Sequence, residues 1–252
     1  MGEIVDLKDK INRYYKFTTN ETRSFVIVVL IIAFIISFKD WGETSFNWGE
    51  GIFNLFNAIL IVALSVLVHD AGQRIWGLAI GYKIEFRLWG LGLLIAVVIT
   101  FVSNGNLWLI VPGGFMLHHL AGHRLGWFRY GVNYFGQAMV ALAGPLFLLM
   151  LVILLKFVYA IFPGMLISKA IKFNIIYLIT SMLPIPPLDG SKIYFGSRML
   201  YAFAFPAIAV AAIMMIIDIP IFFALVLSFF VAIVLWLTYY ITFERKVWTG
   251  PK

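Results

Sequence analysis

The chain has 252 residues, of which 62% are hydrophobic and 12% charged, about half the roughly 25% charged share of an ordinary soluble domain. That composition excludes a soluble globular protein, and apolar runs long enough for a bilayer recur along nearly the whole length. Cysteine is absent, so disulfides, thiolate metal sites and cysteine nucleophiles are excluded. A net charge of +7 marks basic loops at a membrane surface, and no nucleic-acid partner is expected.

Residues 1–23 form a polar N-terminal segment with Lys8, Lys10, Arg13, Lys16 and Arg23, and no signal-peptide pattern opens it. Ser24 to Phe38 is a first span, followed by a polar, aromatic loop from Lys39 to Glu50 with Asp40, Glu43 and Glu50. The run from Gly51 through Val68 ends in His69, Asp70, Gln73 and Arg74, with Lys83 and Arg87 soon after. Basic flanks before the first span and after the second place both on the cytoplasmic side, giving an integral protein of the cell membrane with a cytoplasmic N-terminus. Beyond Arg87 the chain is apolar through Val102, breaks at Ser103-Asn104-Gly105-Asn106, and resumes as Leu107 to Val111 before Pro112-Gly113-Gly114: a span and a re-entrant piece. From Gly113 to Gln137 glycine, histidine, arginine and aromatics predict short strands or a hairpin packed against the bundle.

Further spans fit Ala138 to Phe162, Ala170 to Leu183, Tyr201 to Ile217 and Ile221 to Phe243, with Pro206, Asp218 and Pro220 blurring the last boundary. Six or seven spans result, and the closing Arg245, Lys246 and Lys252 favour a cytoplasmic C-terminus, hence six. The expected fold is a polytopic α-helical membrane protein of about six transmembrane helices with a short extended segment. One transmembrane domain covers 24–243, and 244–252 form a tail.

Ionisable groups within a span usually face a cavity or one another, which singles out His69 and Asp70 at the end of an apolar helix. His69 and Gln73 stand at i and i+4, the spacing by which His-Glu-x-x-His holds zinc; a capping or interfacial role is the other reading. The second candidate is Ser181 to Gly190, where Pro184, Pro186 and Pro187 cannot continue a helix and Asp189 follows. Irregular backbone at membrane depth needs protein or a polar cavity around it; the alternative is an interfacial loop with Asp189 capping the next helix. His118, His119 and His123 read as interfacial or hairpin residues, although His69 with one of them is another route to a three-ligand site. Trp76, Trp89, Trp108, Trp127, Trp236 and Trp248 read as interface belts and packing.

The order His69 to Gln73, then Ala143-Gly144-Pro145-Leu146, then Leu183 to Lys192 resembles that of the site-2 protease family of intramembrane metalloproteases, especially its archaeal members. Pro112-Gly113-Gly114 matches as well, Leu183 to Lys192 is the specific stretch, and a core at about 51–196 carries the likeness. The resemblance implies the site-2 protease fold. In that family two His and an Asp bind zinc, a Glu is the general base, and water hydrolyses an unwound transmembrane helix. By position, the metal ligands would be His69, Gln73 and Asp189, and the catalytic base Asp70. Ser181, Pro184, Pro186, Pro187, Gly190, Gly113 and Gly114 would be substrate-binding or structural.

Four positions depart from the family. An amide at Gln73 is a poor zinc donor, so zinc affinity should be weakened. Asp70 is about 1.5 Å shorter than Glu, when a base must lie within about 2.6–3.2 Å of its proton. Ser181 and Leu148 stand where the family has Asn. These changes predict a pseudoprotease that binds transmembrane or membrane-proximal segments without efficient cleavage. The alternative is an active intramembrane metalloprotease with a metal on His69, Asp189 and either Gln73 or an imported His, and Asp70 activating water. A small-solute transporter explains neither the motifs nor their order. His69, Gln73 and Asp189 are expected to converge in one polar cavity, with extended segments from Pro112 to Gln137 at its mouth.

Overall fold

The computed structural model describes residues 2–42, 46–120, 133–217 and 219–245. The N-terminal polar segment is largely helical: α1 spans Gly2–Tyr14, with i, i+4 ion pairs Asp6–Lys10 at 2.7 Å and Asp9–Arg13 at 3.0 Å. Helix α2 (Thr19–Ser37) starts before the apolar run expected from Ser24. The reason is a capping box, in which Thr18 accepts from the Glu21 amide and the Glu21 carboxylate accepts from the Thr18 amide.

Helix α3 (Trp48–Ala79) begins at an Asn47 cap and runs for 32 residues. At about 1.5 Å per residue it is about 48 Å long, against a hydrocarbon core of about 30 Å. His69 and Asp70 therefore lie inside the helix rather than at its end, a correction to the expectation above. The helix continues because neighbouring elements bury residues 69, 70, 73 and 74 and supply partners, so the polar residues need no exit to water.

Strand β1 (Tyr82–Leu88) follows, then α4 (Gly90–Val102), a non-helical return through Val111, and strand β2 (Gly113–His119). The strands pair antiparallel, from Tyr82 opposite His119 to Leu88 opposite Gly113. Extended structure was expected only after Pro112; its partner β1 was not, and the two are separated by α4 and its return rather than joined as a tight hairpin. Residues 121–132, including His123, lie outside the described residues. Helix α4 has 13 residues, about 20 Å at about 1.5 Å each, too short to cross alone. Its tip is held where Lys39 donates to Asn106 beside the end of α2. On the way back Thr180 Oγ1 donates to the Ile110 carbonyl at 2.7 Å, supplying a partner to non-helical backbone inside the bundle.

The remaining elements are α5 (Tyr134–Ile161), α6 (Met165–Ser181), α7 (Asp189–Gly196), α8 (Arg198–Ile216) and α9 (Ile221–Tyr239), which runs into a π-helical turn over Tyr240–Glu244. Among the described residues five helices are long and apolar enough to cross a membrane: α2, α3, α5, α8, and α9 with its π turn. Helix α6, with 17 residues, stops at the proline-rich segment. The chain is a polytopic α-helical membrane protein. Its core lies where α3 packs on α5 and α5 on α6 and α7, while α9 packs on α8 through buried Ala224, Ser228 and Ala232. Six or seven spans were expected; α4, read as one of them, is a short helix whose chain turns back without regular structure.

Candidate functional site

Helix α3 carries two polar stripes side by side, each built on an i, i+4 pair. The first is His69 and Gln73, which meet Asp189 at the start of α7. His69 Nε2 lies 2.9 Å from Asp189 Oδ2, and Gln73 Nε2 donates to Asp189 Oδ1 at 2.8 Å, with all three residues buried. Helix α5 approaches at Gly144, where an added Cβ would sit 2.4 Å from His69 Nε2 and 2.8 Å from Gln73 Nε2. Glycine at 144 is thus the condition for the three side chains to meet beside α5. The Tyr177 ring of α6 lies 5.1 Å from the imidazole.

The segment before Asp189 is braced from several sides. Gly190 lies so close to Met182 that a Cβ would come within 2.0 Å of its carbonyl oxygen, and the Tyr201 hydroxyl donates to the same carbonyl at 3.0 Å. Pro184, Pro186 and Pro187 shape a turn in which Leu188 N donates to the Ile185 carbonyl at 2.8 Å. Lys192 Nζ donates to the Pro187 carbonyl at 2.7 Å and sits 4.2 Å from the Phe115 ring centroid. Burial pushes the Lys192 ammonium below its ordinary range, and the Asp189 carboxylate opposes that shift. Strand β2 reaches this turn because Gly114 has no side chain: a Cβ there would be 2.3 Å from the Pro187 oxygen. Gly113, at φ +150°, similarly abuts the Arg87 carbonyl, 2.2 Å from where its Cβ would be. Ser181 turns its hydroxyl back to the Leu178 carbonyl at 2.9 Å, and Leu148 is packed in the apolar core.

The second stripe is Asp70 and Arg74, and it faces α2. Arg74 Nε donates to Asp70 Oδ2, and Arg74 Nη2 to Glu21 Oε1. Glu21 also accepts from Phe86 N of β1 at 3.0 Å and from Thr18 N at 2.7 Å. The Phe17 and Tyr15 rings cover the guanidinium at 4.2 and 5.9 Å. The expectation for Asp70 omitted both Arg74 and Glu21. Their local signals are present, an i, i+4 Asp–Arg pair and a Thr-x-x-Glu capping box, but nothing local joins one to the other.

Zinc needs a further donor besides His69 and Asp189. Gln73 stands in the third place, yet it turns its amide nitrogen to Asp189, and a nitrogen that donates a proton does not ligate. Among the described residues no three His, Cys, Asp or Glu side chains gather as a metal-holding group. His118 contacts Glu85 at 3.0 Å and His119 packs on the Tyr82 ring at 4.9 Å. Among the described residues, no third ligand joins His69 and Asp189 to complete a zinc site. Among the described residues three buried side-chain atoms have no hydrogen-bond partner, His69 Nε2 and Asp70 Oδ1 at the two stripes and Asn174 Oδ1 on α6; the approach of His69 to Asp189 is short but not aligned as a hydrogen bond.

Fold and centre together define a polytopic helical membrane protein with a buried polar junction among α3, α5 and α7. No family model matches the chain, and no solved structure gives a significant match. Over 195 residues, covering 75% of this chain and 90% of the other, it is 26% identical to a protein of Methanocaldococcus jannaschii named "putative zinc metalloprotease".

Proposed function

We propose that the chain has the site-2 protease fold and acts as a pseudoprotease, holding transmembrane or membrane-proximal polypeptide segments without cleaving them efficiently. The order of the three motifs and the metalloprotease relative support the fold. The observation that carries the loss of catalysis is the state of the two substituted residues: Gln73 is a hydrogen-bond donor to Asp189, and Asp70 is bound to Arg74. In this reading His69, Gln73 and Asp189 occupy the ligand positions and Asp70 the position of the base. The β1–β2 ribbon beside Pro187 is the edge to which an unwound segment adds as a strand, by main-chain pairing that tolerates many sequences. The basic flanks of α2 and α3 support a cytoplasmic N-terminus in the cell membrane.

An active metalloprotease is the second reading, favoured by the unpartnered His69 Nε2 and Asp70 Oδ1. The two separate on protein purified without an affinity tag. The pseudoprotease is expected to carry well under one zinc per chain and to leave a helical membrane substrate intact, while Gln73→His with Asp70→Glu raises zinc uptake. Stoichiometric zinc with chelator-sensitive cleavage, abolished by Asp70→Ala, would establish the active enzyme instead.

A further inference from the structure

The ion cluster behind the polar centre has no counterpart in the motifs that suggested the function. Glu21, Asp70 and Arg74 are 1%, 2% and 2% exposed, and the guanidinium bridges two carboxylates from different helices with separate nitrogens. Glu21 is itself fixed, because its two oxygens accept the Thr18 and Phe86 amides. Arg74 is therefore anchored from the side away from Asp70, with Phe17 lying over it. For the Asp70 carboxylate to leave, a buried guanidinium would have to give up one of its two charge-assisted bonds.

We propose that Arg74 is a positioning residue: anchored on Glu21, it holds Asp70 in the layer facing α2 and withholds that carboxylate from the His69–Asp189 centre. This rests on the reading of the centre as a degenerate metalloprotease site and adds a cause to it. The acid is kept out of use by its neighbour one turn along α3 as well as by its length. Arg74 keeps the same place if Asp70 is lengthened to Glu, so lengthening alone leaves the clamp in position.

The test is a pair of cycles in the full-length protein purified in detergent. In a Gln73→His background, which supplies an imidazole for zinc, the zinc dissociation constant is measured with and without Asp70→Asn, first with Arg74 present and then with Glu21→Gln/Arg74→Met. The second pair of changes removes both charges and so leaves no unpaired partner on α2. With Arg74 present, Asp70→Asn is expected to change zinc affinity by less than about threefold; with Arg74 removed, by about tenfold or more, the size of effect outer-shell partners have on a metal. A purely structural ion pair would not create that dependence. The inference is overturned if Asp70→Asn already shifts affinity about tenfold with Arg74 in place, or has no effect in either background. Should the Gln73→His protein take up no zinc even with Glu21→Gln/Arg74→Met, the reading of the centre as a degenerate metal site fails and the inference falls with it, an outcome distinct from an Asp70 effect that ignores Arg74. Cleavage by the unmodified protein bears on the proposed function and enters neither cycle.

Discussion

Gly144 leaves the polar centre no room for a side chain from α5. Because a methyl group there would press on both His69 and Gln73, Gly144→Ala should destabilise the protein by about 1–3 kcal/mol, the usual range for overpacking a filled site. It should also reduce zinc uptake by a Gln73→His variant. Gly90→Ala, where the nearest atom to the added Cβ is a leucine methyl at 3.8 Å, should fall within about 0.5 kcal/mol of the parent. Denaturant unfolding in detergent compares the two. Arg74→Met alone leaves two buried carboxylates without their cation and should cost about 3–5 kcal/mol, more than Glu21→Gln/Arg74→Met, because breaking a buried ion pair from one side leaves uncompensated charge behind.

At the scale of elements, the non-helical return from α4 takes one of its partners from a side chain of α6. Thr180→Val keeps the shape but leaves the Ile110 carbonyl without its hydroxyl donor, which should cost about 1–3 kcal/mol. The loss should appear as faster hydrogen exchange of the amides from 107 to 111. Thr180 was invisible in the sequence because the contact joins segments that no local pattern relates. Apolar runs located α2, α3, α5, α6, α8 and α9, with the α8–α9 boundary blurred and the last turns of α3 missed, since a bilayer imposes length and hydrophobicity on the helices that cross it.

Strand β1 was legible in principle: Tyr82, Ile84 and Phe86 are buried while Lys83, Glu85 and Arg87 point outward. The basic residues of that alternation were read as a loop flank, which hid its period. In the centre, the meeting of His69 and Gln73 with Asp189 followed from motif order. The direction of the Gln73 amide and the commitment of Asp70 to Arg74 did not, because both are set by partners far along the chain.

At the scale of the molecule, the polar centre is assembled from α3, α5, α6 and α7, and α9 stands apart, held through α8. Ala232→Leu at the α8–α9 seam should therefore lower the melting temperature through the loosened helix pair while leaving zinc uptake by a Gln73→His variant unchanged. The opposite result, lost uptake, would show that the centre depends on the α8–α9 pair.

The Glu21–Arg74 bridge also orders events in time. The two residues are 53 positions apart, so at about 5–20 residues per second of synthesis roughly 3–10 s pass between the appearance of the acid and that of its cation. During that interval α2 has its cap at Thr18 but no counter-ion, and a lone carboxylate does not settle in hydrocarbon. The start of α2 is therefore expected to stay at the interface until α3 brings Arg74 beside it, so that in a chain truncated before residue 74 the α2 segment should be more accessible to water-soluble labels than in the full-length protein.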